Sequence, residues 1–198
     1  GPDRRDDIGG PAGVSLIAGM EIPTGSTEQM TADGHRFETD HQPGSGSWDP
    51  LVGVAFSQGF RRGRSSLHGN VLYQLNSEGS QETTLGDLTL FNLAFVHRFA
   101  GAEDHVHATG GTGPHTHTET TWDGMIELNG EHRGRDETHG HVNENSGGSL
   151  IYFAPGLRVG FAGKWSAFAQ VGIPLLDDPN GFQHDTDFRV VAGMGVGS

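Results

Sequence analysis

Eight stretches of this chain alternate apolar and polar residues with a period of two. That pattern confines the fold to extended strands with two unlike faces. Over residues 14–22, Val14, Leu16, Ala18, Met20 and Ile22 share one side, and Ser15, Gly19 and Glu21 the other. Over 51–58, Val52, Val54 and Phe56 alternate with Gly53, Ala55 and Ser57. Over 67–75, Leu67, Val71, Tyr73 and Leu75 oppose His68, Asn70 and Gln74. Over 87–99, Phe91, Leu93, Phe95 and Phe99 oppose Asn92, Ala94 and Arg98. Over 122–133, Trp122, Ile126 and Leu128 oppose Asp123, Glu127, Asn129, Glu131 and Arg133. Over 150–161, Ile151, Phe153, Leu157, Val159 and Phe161 oppose Tyr152 and Arg158. Over 165–173, Trp165, Ala167, Ala169, Val171 and Ile173 oppose Ser166 and Gln170. Over 186–196, Phe188, Val190, Ala192, Met194 and Val196 oppose Asp187, Arg189 and two glycines.

The eight segments have about the 9–11 residues that a tilted membrane strand requires. Gly, Asn, Asp, Ser and Pro separate them, which is turn chemistry. Charges sit on the Gly/Ser/Asn side and almost never on the apolar one. A chain with 33% apolar residues and a formal charge of −13 falls toward the disordered class by composition, but the alternation argues for folded strands. So few large aliphatic residues make a poor conventional core. A barrel needs none, because lipid solvates its outer face and its lumen stays polar. Connections at 24–47, 77–86, 134–148 and 176–185 are long, and those at 59–63 and 162–164 are tight. Long and short alternate between the two ends, as in an outer-membrane barrel; the 101–120 connection breaks the rule. The expectation is an all-β, antiparallel up-and-down transmembrane β-barrel, a single domain over 1–198, with eight strands visible and belonging to a larger barrel.

Other classes fare worse. No apolar stretch approaches the roughly 20 residues of a transmembrane helix. The absence of cysteine excludes disulfides and thiolate metal sites. The one basic cluster, Arg61, Arg62 and Arg64, reads as a solvated turn, and an acidic chain lacks the clustered positive charge that nucleic acid requires. The opening residues, Gly1-Pro2-Asp3-Arg4-Arg5-Asp6-Asp7, contain no apolar signal segment, so export implies a processed or truncated form.

Ordered short segments carry a resemblance: Glu21-Ile22-Pro23-Thr24-Gly25-Ser26, Gly44-Ser45-Gly46-Ser47-Trp48-Asp49-Pro50, Leu72-Tyr73-Gln74-Leu75-Asn76, Glu127-Leu128-Asn129-Gly130-Glu131, Ala154-Pro155-Gly156-Leu157, Gly172-Ile173-Pro174 and Phe188-Arg189-Val190-Val191. Together they resemble the outer-membrane transporter family labelled "MetA-pathway of phenol degradation", over nearly the whole chain. The resemblance implies a barrel in the bacterial outer membrane, grouped loosely with hydrocarbon-uptake channels. Members have further strands before the segment matching Val14 and end in an aromatic residue, whereas this chain ends Val196-Gly197-Ser198. An N-terminally truncated member is therefore expected.

Four histidines, His105, His107, His115 and His117, lie in the 101–120 loop. An H-x-H pair in extended backbone puts both rings on one side. Two pairs would offer four imidazoles to Zn, Cu, Ni or Co, with Asp104 or Glu119 adding oxygen; a flexible polar loop without metal is the bland alternative. His139 and His141 fall at the opposite end by strand parity. The residues expected to line the lumen are Glu21, His68, Gln74, Glu127, Glu131, Arg133, Arg158, Gln170 and Arg189. Their charges require partners, so acids and arginines are expected to pair across the face, either bracing the lumen or lining it for selectivity. Trp48, Trp122 and Trp165 near strand starts match an interfacial girdle.

No catalysis is expected. Glu127 and Glu131 share one strand face about 13 Å apart at ~3.3 Å per residue, which does not suit paired-carboxylate hydrolysis. The chain also lacks Gly-x-Ser-x-Gly, His-Glu-x-x-His and a phosphate-cradling loop. The leading expectation is a passive, cofactor-free outer-membrane channel for small solutes, including aromatic or other hydrophobic compounds. Two alternatives stand beside it: a metal-linked outer-membrane protein using the His-rich loop, and a soluble secreted β-sandwich that binds a ligand or partner.

Overall fold

The computed structural model describes residues 12–60, 64–101, 120–161, 164–182 and 186–197. Eleven strands occur there: β1 (Ala12–Glu21), β2 (Asp49–Phe60), β3 (Ser65–Gln74), β4 (Thr83–Thr84), β5 (Leu88–Ala100), β6 (Thr121–Arg133), β7 (Glu137–Thr138), β8 (His141–Val142), β9 (Gly148–Phe161), β10 (Trp165–Pro179) and β11 (Arg189–Val196). Eight of them form one sheet in the order β1-β2-β3-β5-β6-β9-β10-β11. Every neighbouring pair is antiparallel, so the sheet is a continuous meander. All eight alternating segments became its strands. The sheet is not closed; β1 and β11 are its edges.

Register keeps the faces apart. Asp123 pairs with both Arg98 and Arg158, and Glu127 with Ala94 and Ala154, so the polar residues of three strands align. The other face carries Ile126, Leu128, Leu157, Val54, Leu16 and Val190, all exposed; Leu16 is 88% exposed. The buried hydrophobic residues and the buried carboxylate of Asp123 tell the same story. Met125, Tyr152, Ala154 and Asp123 are buried, and by register all four belong to the polar face. No second layer of the described residues covers either face, so this burial comes from side chains crowding one another on the polar face, as on the inner side of a curved sheet. Side chains on the polar face also meet across an intervening strand. Gln74 of β3 reaches Glu21 of β1, Gln170 of β10 reaches Glu127 of β6, and Arg189 of β11 reaches Tyr152 of β9. Alternate strands lie about 9.5 Å apart on a flat sheet. The polar face is therefore the concave one.

Two features explain where strand ends depart from expectation. β10 continues to Pro179, beyond the expected end at Ile173, because a bulge between Pro174 and Leu176 inserts Leu175 and shifts the register. The unpaired Leu175 breaks the alternation and hides the continuation from a period-two reading. Pro155 interrupts the β9–β10 ladder: pairs are made at Gly156 and Phe153 but not between them, as expected of a residue with no N–H to donate.

The 24–47, 77–86 and 134–148 connections gather at one end, where β4, β7 and β8 form a separate three-stranded sheet, and the long 101–120 connection falls at the other. Carboxylates wire this cap together. Asp49 accepts the Ser47 hydroxyl (2.8 Å) and the Ser77 backbone N–H (2.8 Å). Asp136 accepts the Gly86 N–H at 2.8 Å. Asp87 accepts the Asn76 N–H at 3.0 Å and the Tyr73 hydroxyl. Gly86 and Gly134 approach so closely that a Cβ on Gly86 would stand 2.0 Å from the Gly134 carbonyl oxygen, which only glycine allows.

Candidate functional site

The concave face holds the residues that could carry a function, and the strands place all nine expected lining residues on it. Gln74 donates to Glu21 (2.8 Å) and to Asn76 (3.0 Å). Gln170 and Asn129 both donate to one oxygen of Glu127, at 3.3 and 3.4 Å. His68 and Ser66 are hydrogen-bonded at 2.8 Å. His68 and Asn70 also line a cavity of about 330 Å³ with Ser15, Ser57 and Asn92.

The expected pairing of acids with arginines holds in part. Arg158 is paired, but its partner is Asp123 rather than either glutamate of the expected set. The Arg158 Nε and Nη2 donate to Asp123 Oδ2 at 2.9 and 2.7 Å. The Arg98 Nε donates to Oδ1 of the same carboxylate at 2.9 Å. Asp123 is thus shared by two guanidinium groups, with its own side chain 3% exposed. The two arginine side chains remain 35% and 43% exposed. Arg133 reaches Glu131 only at 4.0 Å. Arg189 has a different partner from the expected acid, because its guanidinium carbon lies 3.6 Å from the centre of the Tyr152 ring. Tyr152 is its concave-face neighbour two strands away, and a guanidinium over an aromatic face is a favourable contact.

Asp123 and Arg98 were therefore the residues missing from the expected set. Both stood on the polar side of their segments, so a rule admitting every charged polar-face residue would have included them. Their joint contact with Arg158 depends on register, which the sequence does not state.

His105, His107, His115 and His117 lie outside the described residues, as do Arg61 and Arg62. His139 and His141 lie in the cap, at the end that strand parity implied. His139 Nδ1 is 2.8 Å from a Glu82 carboxylate oxygen. On the 39–41 turn nearby, the donor atoms of Glu38, Asp40 and His41 stand within 4.8 Å of one another. All three side chains are exposed, and Asp40 already pairs with His41 at 2.8 Å. Three mixed donors leave a coordination shell open to water.

Fold and face together define an antiparallel β-meander with a charged, hydrogen-bonded concave surface and an apolar convex one. No protein-family model, curated protein or solved structure matches the chain.

Proposed function

We propose that this chain forms the wall of a bacterial outer-membrane β-barrel channel that passes small solutes along its polar face. One observation carries the reading. Most of the large apolar residues of the eight strands lie on the convex face, and nothing among the described residues covers them. A soluble sandwich would instead bury this face against a second sheet. Here the buried hydrophobic residues among those described are Met125, Tyr152 and Ala154, and they lie on the opposite face. An uncovered apolar surface of this extent is unstable in water and at home among acyl chains.

Dimensions agree. The 13 residues of β6 extend about 43 Å at ~3.3 Å per residue, and a tilt near 45° reduces this to about 30 Å, the thickness of a hydrocarbon core. The polar face then lines an aqueous path, with hydrogen-bonding residues such as Asn70, Asn92, Glu127 and Gln170 facing the solute. The role is passive and requires no cofactor.

The test is purification and conductance. The protein should require detergent, should migrate faster on gels unheated than boiled, and should give discrete conductance steps in planar bilayers. Monodisperse behaviour in plain buffer, with no change in migration on heating, would overturn the membrane reading. Stable insertion without conductance would overturn the channel.

A further inference from the structure

We propose that the row Arg98–Asp123–Arg158–Phe168 on the concave face is a binding subsite for an organic monocarboxylate with an apolar body. The inference rests on the channel reading and adds a substrate class to it.

Register builds the row. Arg98 pairs with Asp123, Asp123 with Arg158, Arg158 with Phe168 and Phe168 with Gly193. Five consecutive strands therefore present these positions side by side on one face. Two guanidinium groups share one carboxylate, so the cluster carries a net charge of +1. Asp123 receives three of their N–H groups, namely Arg98 Nε and the Arg158 Nε and Nη2. Each guanidinium carries five donors, and most of them meet no other acceptor among the described residues, which leaves them to water or solute. The arginine side chains stay more than a third exposed while Asp123 is sealed. The carboxylate acts as a fixed anchor beneath, and the cationic forks point where a second carboxylate can dock in bidentate fashion.

Beside the charge lies an apolar shelf. The Phe168 ring spreads over Gly193, where a Cβ would stand 2.6 Å from the ring. Val96, Met125 and Val191 share that face in the next row, paired through Gly156 and Gln170. Neighbouring strands are about 4.8 Å apart. A carboxylate on Arg158 therefore sets a body of a few carbons against Phe168. A bare inorganic anion gains only the charge, whereas an amphiphilic acid gains both contacts.

A purely structural brace is the competing account, and single-arginine variants separate the two. Arg98→Gln or Arg158→Gln leaves Asp123 paired with the remaining guanidinium, so the fold persists while the net charge of the cluster falls to zero. Detergent-solubilised full-length protein is titrated with benzoate and with acetate by calorimetry, with gel migration before and after heating as the check on folding. Benzoate should bind at least fivefold more tightly than acetate. Each arginine variant should weaken benzoate about tenfold with unchanged migration. Phe168→Ala should abolish the preference for benzoate and leave acetate unaffected. Folded wild-type protein that binds neither acid, or an Arg158→Gln variant that binds benzoate as tightly as wild type, would overturn the subsite. Binding is read here without flux. A protein that binds benzoate but does not conduct would refute the channel alone, and one that conducts but binds no acid would refute the subsite alone.

Discussion

At the scale of single residues, two aspartates carry more structure than their neighbours. Asp123 holds two guanidinium groups that would otherwise repel each other. Removing one member of a buried ion cluster typically costs about 3–5 kcal/mol. The arginines here remain over a third exposed, and water screens what is left behind. Asp123→Ala should therefore fall at the low end, about 3 kcal/mol, read as a lower temperature for loss of the fast-migrating gel form. Arg98→Gln should cost about 1 kcal/mol or less, because an exposed pair contributes little. In the cap, Asp136→Ala removes the acceptor of the Gly86 N–H. An orphaned buried donor costs about 1–3 kcal/mol, so amide exchange should accelerate at Gly86 and leave the β6 amides unchanged. Neither role was legible in the sequence. Asp123 looked like one charge among several on a polar stripe, and its double partnership depends on a register set across the long 101–120 connection. Asp136 lay in a segment with no periodicity to read.

At the scale of elements, alternation revealed all eight long strands and both faces of each, because a period of two survives any choice of neighbour. It failed where the physics of pairing overrides it. The Leu175 bulge in β10 concealed the last residues of that strand. The two-residue strands β4, β7 and β8 are too short for a period to register. The two faces of β6 offer a direct test. Leu128→Lys puts a charge on the convex face near mid-strand, and at the bilayer midplane this costs about 2–4 kcal/mol. Asn129→Lys puts the same charge on the concave face. In liposomes, the first should unfold at distinctly lower urea and the second close to wild type. Equal midpoints for the two would contradict lipid contact at Leu128.

At the scale of the whole molecule, the two ends differ. The cap end gathers β4, β7 and β8 with the loops around them, and Trp48 enters β2 there with 60% exposure. The tight-turn end carries Trp122 and Trp165 at the starts of β6 and β10, both exposed. A wall bracketed by indoles at both rims should sense shallow lipid. Tryptophan emission should be quenched more strongly by acyl chains brominated near the headgroup than by chains brominated near their terminal methyl. The reverse order would place the indoles at the wrong depth. The open sheet has a consequence of its own. Along β1 and β11 the outward-pointing amides and carbonyls have no ladder partner among the described residues. In hydrocarbon each such orphan costs several kcal/mol, so two bare seams could not coexist with the greasy exterior that defines the rest. On the proposed barrel reading both seams must be zipped before the ribbon can enter a membrane, however well its side chains suit lipid.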